Sequence, residues 1–296
     1  MNIVQSKLFR NFVPKFIRKK ILARALRAAV LNYYAGLSEP LSEEVEKVLD
    51  YLRKKPIAWF PYDFQDQYIK DSIEVYDDKG KGLGYVLLDG KRLYFKRGWS
   101  KNRIRKVFNE LRKEQDPQCP HCYVNETFKV ENYDVLVDIG AAEGNFALSN
   151  VEKASRIILF ERNEGWIEAL NATFGPWKNK VTIVNKFVDD VSGAESTTLD
   201  DFIPAEENVS FLKIDVEGAE SRVLNGCKRI LRQQKPLKLA VCTYHKQEDE
   251  KEINEFLTQK GFETSHTDGY ILFYTDNKIK APFLRRGLIR AIKPGS

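Results

Sequence analysis

The sequence has 296 residues, 43% of them hydrophobic and 30% charged, so the chain is long enough to bury a large core and has the composition of a globular protein. No apolar run approaches the ~20 residues that a membrane-spanning helix needs, and four cysteines are too few for a disulfide framework at this length. The formal charge of +6 comes from the ends: residues 1–35 carry eight Lys and Arg, residues 277–296 carry six, neither stretch has an acid, and the middle is left at −8. A net acidic centre argues against nucleic-acid binding. The beginning of the sequence lacks the features of a secretory signal, which predicts a cytoplasmic protein.

The first part of the chain is predicted to be an accessory region. Residues 1–55 form a basic amphipathic helical segment, with apolar residues at helical spacing over 13–37 and a second helix over 42–53. The first helix either lies on an anionic membrane surface or docks on this protein or a second subunit, and the sequence does not fix the oligomeric state. Residues 56–133 are predicted to be an α+β region with a lid, in which Asp89-Gly90 separates two short β-runs as in a hairpin.

From residue 134 the pattern changes to β-runs that alternate with helices, which predicts a mostly parallel sheet covered on both faces. The last two runs, over 261–266 and 269–275, follow each other without a helix, so one of them has to be antiparallel. This is the Rossmann-like layout of a class I methyltransferase, here over residues 134–277, and residues 278–296 are expected to form a basic tail. Ligands of such sheets bind beyond the carboxyl ends of the strands.

The first of these strands ends in a glycine-bearing turn, "VDIGAAEGNF", and the second ends at Glu161. A glycine turn followed by an acid at the next strand end is typical of a nucleotide site, in which the acid accepts hydrogen bonds from ribose hydroxyls. Glu143 in the turn would repel the pyrophosphate of NAD. A turn bordered by Asp138 and Glu143 suits the sulfonium and amino group of S-adenosylmethionine, which we therefore expect as the cofactor.

Four segments, "DIGAAEGNF", "LFER", "TLDDF" and "LKIDVEGAESRVLNG", resemble the FkbM-type S-adenosylmethionine-dependent methyltransferases over about residues 134–265. The resemblance implies O-methylation of a hydroxyl on a carbohydrate, glycan or natural product. It places Asp215 at the reaction centre, Glu161 at the ribose and Asp189 near the adenine. The residues expected to bind the cofactor are Asp138, Gly140, Ala141, Ala142, Glu143, Gly144, Asn145, Phe146, Glu161, Arg162 and Asp189.

Methyl transfer to a hydroxyl needs a group that removes its proton. His245 follows the fifth strand at the same edge as Asp215, and histidine is the commonest base near neutral pH, so it is the first candidate. Asp215, Glu217 and His245 together form an alternative Mg²⁺ or Mn²⁺ site that would orient and acidify the hydroxyl. A metal is not expected, although one sequence does not separate the two possibilities.

The stretch "CPHC", Cys119 to Cys122, follows a charged helix and not a strand, which disfavours a thiol-redox site. A zinc site would need further ligands, for which only the isolated Cys227 or Cys242 remain. We expect the segment to cross the cleft as a lid, with His121 as the second candidate for a base or an acceptor ligand. Four aromatic residues are available to stack on a sugar or else to form the core of the accessory region: Trp59, Tyr62, Trp99 and Tyr123.

A different class of function also fits the sequence. The chain would then be a catalytically inactive scaffold with a methyltransferase-like domain, whose basic ends bind an anionic glycan or a membrane surface. Binding of S-adenosylmethionine separates this interpretation from the enzyme.

Overall fold

The computed structural model describes residues 15–295. Residues 1–14, which include the start of the helix predicted over 13–37, and residue 296 lie outside the described part. The chain forms a pair of N-terminal helices, a small three-stranded sheet and a large seven-stranded sheet.

The strands in chain order are β1 (Tyr76–Asp78), β2 (Leu83–Leu88), β3 (Lys91–Tyr94), β4 (Val135–Ile139), β5 (Arg156–Phe160), β6 (Val181–Val184), β7 (Phe187–Val188), β8 (Ser196–Thr197), β9 (Phe211–Ile214), β10 (Leu237–Cys242), β11 (Glu263–His266) and β12 (Leu288–Lys293). The α-helices are α1 (Lys15–Ala35), α2 (Glu43–Lys54), α3 (Lys101–Glu114), α4 (Asn145–Asn150), α5 (Glu164–Phe174), α6 (Leu199–Phe202), α7 (Glu220–Asn225), α8 (Lys228–Leu231) and α9 (Asp249–Gln259). Short 3₁₀ turns lie at Asp63–Gln67, Lys70–Ser72 and Gly175–Trp177.

The large sheet has the strand order β11-β12-β10-β9-β4-β5-β6. The four neighbouring strands β10, β9, β4 and β5 are parallel, whereas β12 runs antiparallel to both β10 and β11. The chain moves outward from β4 through β5 to β6 and then restarts at β9 on the other side of β4, so the topological switch point lies between β4 and β9. The predicted fold, a mostly parallel sheet with one antiparallel C-terminal strand and an α+β accessory region, is confirmed.

The position predicted for the antiparallel strand was wrong. Residues 269–275 form no strand and make a single bridge between Ile271 and Arg285, while the strand lies at Leu288–Lys293, inside the stretch expected to be a tail. The apolar side chain of Leu272 instead packs with Val30 and Leu49 of the N-terminal helices. A charged residue, Arg290, interrupts the apolar pattern of the true strand and hides it in the sequence.

Two apolar layers cover the large sheet. Alternate residues of each strand point to opposite faces, so Leu136 and Phe211 belong to a core shared with α4, α5 and the accessory region, whereas Val137 and Leu212 belong to a core shared with α6 to α9. The accessory region thus covers one face of the sheet. Its hairpin turns at Asp89-Gly90 with both residues at positive φ, as the sequence predicts.

The N-terminal helices form a third apolar cluster. Val30 and Tyr34 in the second half of α1 are buried against α2, and the Tyr34 hydroxyl donates to the carbonyl of Pro282 at 2.7 Å. This half of the helix docks on the protein, while Leu22 in the first half is 50% exposed. Among residues 15–295, no helix has both the length and the apolar character to cross a bilayer. Contact of the basic ends with a membrane surface stays a prediction.

Candidate active site

The candidate site lies where β10, β9, β4 and β5 end side by side. Because these strands are parallel and adjacent, the residues that follow each of them meet at one edge of the sheet. The turn after β4 and the acid after β5 form one half of this edge. The residues after β9 and β10 form the other half, on the far side of the switch point.

The turn after β4, residues 140–144, is called here the cofactor turn. Gly140 has φ of +77° and a Cβ built on it would lie 1.9 Å from the carbonyl oxygen of Asp215, so only glycine fits. Ala142 also has positive φ, +45°, and its N–H donates to Oε2 of Glu161 at 2.9 Å. The other carboxylate oxygen of Glu161 accepts from the N–H of Asn163 at 2.6 Å. The turn and the end of β5 are therefore joined through one carboxylate.

Asp138 does not face the turn as a free carboxylate. It is the register partner of Lys213 on β9, and the two side chains, 1% and 4% exposed, place Oδ1 and Nζ 2.9 Å apart. Lys213 Nζ also donates to the carbonyl oxygen of Gly140 at 2.7 Å. Burial opposes the lysine charge, but the carboxylates beside it raise the pKa of Lys213 above its ordinary value, and burial also raises the pKa of Asp138. This ion pair ties the cofactor turn to the neighbouring strand.

Asp215, directly after β9, is the centre of the second half of the site. Its Oδ2 accepts a hydrogen bond from the Tyr123 hydroxyl at 2.6 Å and lies 3.4 Å from Nε2 of His121. Burial alone would raise the pKa of Asp215, but His121 and the Lys213 ammonium hold it well below its usual range. Asp215 therefore stays ionised and is a weak proton acceptor.

His245, after β10, reaches the other side of Asp215. Its Nε2 lies 3.7 Å from Oδ1 of Asp215 and 3.6 Å from Oε2 of Glu217, and it makes no hydrogen bond to a described residue. On the opposite side of the ring, Nδ1 lies 3.0 Å from Oε1 of Glu220. Burial would lower the pKa of His245, but the Glu220 carboxylate, followed by Asp215, raises it above its ordinary value. We call these four residues with His121 and Tyr123 the acid–histidine cluster.

The predicted lid segment contributes to this cluster, as its position in the sequence suggested. Cys119 and Cys122 are free and buried, and the guanidinium of Arg290 on β12 donates to the carbonyls of Cys122 at 2.7 Å and Tyr123 at 3.2 Å. These bonds anchor the segment to the sheet and hold His121 at Asp215. Whether the segment moves as a lid stays a prediction.

An aromatic wall lies beside His245. Phe273 meets the His245 ring edge-to-face at 5.7 Å and the Trp59 ring at 5.0 Å, and Tyr274, which is 39% exposed, lies 6.4 Å from Trp59. Trp59, one of the four aromatic residues singled out in the sequence, thus lies near the cluster. The other three have packing or bonding roles: Tyr62 accepts from the N–H of Tyr270, Trp99 packs on Phe95 and Trp166, and Tyr123 bonds Asp215.

Some of the predicted cofactor residues have partners away from the turn. The carboxylate of Asp189 bonds Arg222 of α7 and the N–H of Asp190 at 2.8 Å. Arg162 bonds Asn185 at 3.3 Å and Glu195 at 2.7 Å. Asn145 and Phe146 begin α4, directly after the turn. Their contact with a cofactor stays a prediction.

Two charged residues of the site, Lys213 and Glu220, are absent from the sequence-based list. Each is buried, at 3% and 1% exposure. A lysine inside an apolar strand is a signal that sequence reasoning could have used, because a buried ammonium requires a carboxylate on a neighbouring strand. Glu220 gave no such signal, since an acid in the first turn of a helix is common.

Two groups of side chains within residues 15–295 have potential metal-ligating atoms within 4.8 Å of one another. One is Asp215, Glu220 and His245, and the other is His121, Asp215 and Cys242. The predicted alternative set had Glu217 in place of Glu220. Glu217 reaches Nε2 of His245 at 3.6 Å, but its side chain is 88% exposed.

The strand order, with parallel central strands and an antiparallel C-terminal strand, is that of a class I methyltransferase fold. The family model of the FkbM methyltransferase domain matches residues 113–264, which is more than half of the chain. The protein therefore belongs to the FkbM methyltransferase family, as its sequence predicts.

Three of the solved structures similar to this chain are described as methyltransferases or methylases. TYW2 from M. jannaschii, in complex with AdoMet, is 14% identical with a TM-score of 0.41 and covers 74% of this chain and 92% of its own. Precorrin-6y C5,15-methyltransferase from Geobacter metallireducens is 15% identical with a TM-score of 0.38, over 57% of this chain and 83% of its own. An rRNA methylase from Streptococcus thermophilus is 11% identical with a TM-score of 0.38, over 56% and 90%. None of the curated proteins compared with the chain matches it.

Proposed function

We propose that the protein transfers a methyl group from S-adenosylmethionine to a hydroxyl oxygen of a carbohydrate or a similar polyhydroxyl acceptor. The observation that carries this proposal is the placement of His245 and Asp215 beside the cofactor turn. The carbonyl oxygen of Asp215 fills the space that a side chain at Gly140 would need, so the turn and the acid–histidine cluster share one wall. A donor held by the turn would present its methyl group to an acceptor at the cluster.

The residues around the turn fit a cofactor with positive charge. Glu143, in the turn, is 9% exposed, and Asp215 is an ionised carboxylate on the cluster side. Glu161 keeps free lone pairs on both oxygens and can accept from ribose hydroxyls while it holds Ala142 and Asn163. These acids would stabilise a sulfonium and an ammonium, and would repel a pyrophosphate.

The chemistry supplied by the cofactor is an electrophilic methyl group on a sulfonium that leaves as a neutral thioether. The protein has to orient the hydroxyl in line and take its proton as the new carbon–oxygen bond forms. His245 Nε2 and Asp215 Oδ1 are 3.7 Å apart and not bonded to each other. An acceptor hydroxyl in contact with His245 would donate its proton to Nε2, and the Asp215 carboxylate would accept from a second hydroxyl of the same acceptor.

The nature of the acceptor is supported by the aromatic wall. Phe273 packs on the His245 ring, and Trp59 and Tyr274 continue the wall from Phe273. Aromatic rings pack on the apolar faces of sugar rings while leaving hydroxyls free for polar partners. The exposed carboxylate of Glu217 adds an acceptor for such hydroxyls. The family resemblance also implies a carbohydrate or natural-product hydroxyl.

Calorimetry with S-adenosylmethionine tests the donor, and a screen of glycans and small polyhydroxyl compounds for release of S-adenosylhomocysteine tests the acceptor. We expect wild-type protein to bind the donor, and His245→Gln to bind it equally but to lose at least about 100-fold in turnover. The matched control is His266→Gln, because His266 pairs with Glu250 at 2.6 Å outside the cluster. If wild-type protein binds no S-adenosylmethionine, the enzyme proposal is wrong and the scaffold interpretation takes its place.

A metal-assisted mechanism is the second candidate, favoured by the close ligating atoms of Asp215, Glu220 and His245. A divalent cation there would lower the pKa of the acceptor hydroxyl and orient it. Turnover that is unchanged in EDTA rules this out. Turnover that is lost in EDTA and restored by Mg²⁺ or Mn²⁺ would make His245 a metal ligand instead of the base.

A further inference from the structure

The second acid of the "VEGAE" run, Glu220, has an unusual environment for a residue at the start of a helix. Its side chain is fully buried, and its Oε1 accepts the N–H groups of Val216 at 3.0 Å and Gly218 at 3.3 Å. Positive φ angles at Glu217, +56°, and Gly218, +95°, bring these two donors to the same oxygen. The turn after β9 therefore fixes the orientation of one buried carboxylate.

That carboxylate faces the inner nitrogen of the candidate base. His245 Nδ1 lies 3.0 Å from Glu220 Oε1, although the ring is not aligned for a linear hydrogen bond in the free protein, as is common before ligands bind. The ring packs against Tyr244 at 4.1 Å and Phe273 at 5.7 Å. The carbonyl of His245 accepts from Arg285 at 2.8 Å. Nε2 is on the side of the ring that lies toward Asp215 and Glu217.

We infer that Glu220 is a positioning residue that keeps a proton on Nδ1 of His245 and so presents Nε2 as the proton acceptor. A histidine whose inner N–H faces a carboxylate is held in one tautomer and orientation. This inference rests on the proposed function for the role of His245 as base.

The contact with Glu220 differs in kind from those with the other acids near the ring. Asp215 and Glu217 are both on the Nε2 side, at 3.7 and 3.6 Å, and Glu217 is 88% exposed, so water screens its charge. Glu220 is closer, fully buried and on the Nδ1 side. The charged groups with a contact or electrostatic effect on His245 are Asp215, Glu217, Glu220, Asp249 and Arg285.

The proton balance of the reaction follows from this arrangement. The acceptor O–H bond breaks as the oxygen gains the methyl carbon, and the proton passes to Nε2, which makes His245 an imidazolium. Its Nδ1–H then lies against the negative charge of Glu220, which stabilises the imidazolium through the transition state. The proton leaves Nε2 for solvent after the methylated product departs.

The experiment uses the small number of histidines, three in the chain. Protein labelled with ¹⁵N-histidine gives long-range ¹H–¹⁵N spectra that report the tautomer and the pKa of each ring, with assignment by His121→Gln, His245→Gln and His266→Gln. In wild-type protein we expect neutral His245 to carry its proton on Nδ1 and its pKa to lie above the ordinary 6.5. In Glu220→Gln, which keeps an oxygen for Val216 and Gly218 but removes the charge, the pKa should fall by about one unit or more.

Glu217→Gln is the matched control, because it removes a carboxylate that lies 3.6 Å from the same ring but is exposed. In this variant, the pKa of His245 should shift by less than about 0.3 units. An Nε2–H tautomer in the wild type would overturn the inference without any variant. Equal shifts in the two variants, or no shift in Glu220→Gln, would also overturn it.

These spectra need neither donor nor acceptor, so their outcome is separate from that of the proposed function. Failure to bind S-adenosylmethionine would remove the methyltransferase role while leaving the tautomer measurement intact. If Glu220→Gln does not fold, as judged by circular dichroism, the wild-type tautomer decides the question.

Discussion

The two halves of the site differ in how far their polar groups are paired with one another. In the half around the cofactor turn, the polar groups bond one another: Lys213 bridges Asp138 and the carbonyl of Gly140, and Glu161 holds the N–H of Ala142. In the acid–histidine cluster, Nε2 of His245 and Oε2 of Glu220 are buried without a hydrogen bond to a described residue. In the cofactor half, these bonds fix the shape of the turn. In the acid–histidine cluster, the unpaired groups stay free to bond an acceptor, although buried polar atoms without partners are destabilising.

The largest expected effect comes from breaking the buried ion pair of the cofactor half. Lys213→Met leaves Asp138 buried without its counter-charge, which should lower the free energy of unfolding by roughly 3–5 kcal/mol and abolish binding of S-adenosylmethionine. Urea unfolding and calorimetry measure the two effects. The double variant Lys213→Met with Asp138→Asn removes both charges and should recover much of the stability. A single variant as stable as wild type would contradict the role of the pair.

A smaller but more local effect is expected at the cofactor turn. Gly140→Ala places a methyl group 1.9 Å from the Asp215 carbonyl, so the wall shared by the two halves has to move. We expect more than a tenfold loss of donor affinity and a stability loss of about 1–3 kcal/mol beyond the backbone strain.

The matched control is Gly261→Ala. Gly261 has a similar φ, +80°, but a Cβ there meets open space. It carries the strain of a left-handed alanine, about 1–2 kcal/mol, without the clash. Equal losses of donor affinity in the two variants would show that the contact with Asp215 does not shape the turn.

The pH dependence of S-adenosylmethionine binding tests the charge of Glu143 in the cofactor turn. Burial, opposed by Lys96, raises the pKa of Glu143 to about 7 in the free protein. A cationic donor favours the ionised carboxylate, so binding should release a proton, and affinity should rise by up to about tenfold from pH 6 to pH 8. Calorimetry at several pH values checks this. Glu143→Gln should flatten the profile, and S-adenosylhomocysteine, which lacks the sulfonium, should show a weaker slope; an unchanged slope in the variant would exclude Glu143.

The smallest effect is expected from the thiols beside the cluster. Cys119→Ser with Cys122→Ser should leave turnover within about twofold of wild type, because the thiols contact backbone and not the acceptor groups. His121→Ala, between the same two cysteines, should lose turnover, because it removes the ring at Asp215. Activity lost in the cysteine variant and kept in the histidine variant would reverse our assignment of the segment.

The sequence predicted the elements that depend on local chemistry. The Asp89-Gly90 hairpin, the glycine turn after β4, and the arrival of Asp215 and His245 at one edge all follow from turn residues and strand alternation. It failed where tertiary contacts override the local pattern. The apolar run around Leu272 resembles a strand but packs on the N-terminal helices. Arg290 lies within a strand because its guanidinium donates to the carbonyl of Cys122 in the predicted lid segment.

The pairing of residues far apart in the chain could not be predicted from the sequence either. The sequence placed His121 at the cleft but did not pair it with Asp215, and it gave no link between Glu220 and His245. These atoms meet only after the accessory segment and α7 have docked on the sheet. The acids near His245 illustrate this limit. The alternative metal set predicted from the sequence contained Glu217, whose side chain is 88% exposed, whereas the buried acid at His245 is Glu220.

The place of β12 has a consequence for the order in which the molecule forms. It is inserted between β10 and β11 although it follows both of them in the chain. On a ribosome, the edge of β10 therefore stays open until residues 288–293 have emerged, and the lid segment lacks Arg290 as its anchor until then. Late, long-range pairing of this kind slows folding and leaves a strand edge exposed to other chains. A nascent chain of this protein would complete this part of the sheet only after residues 288–293 have been synthesised.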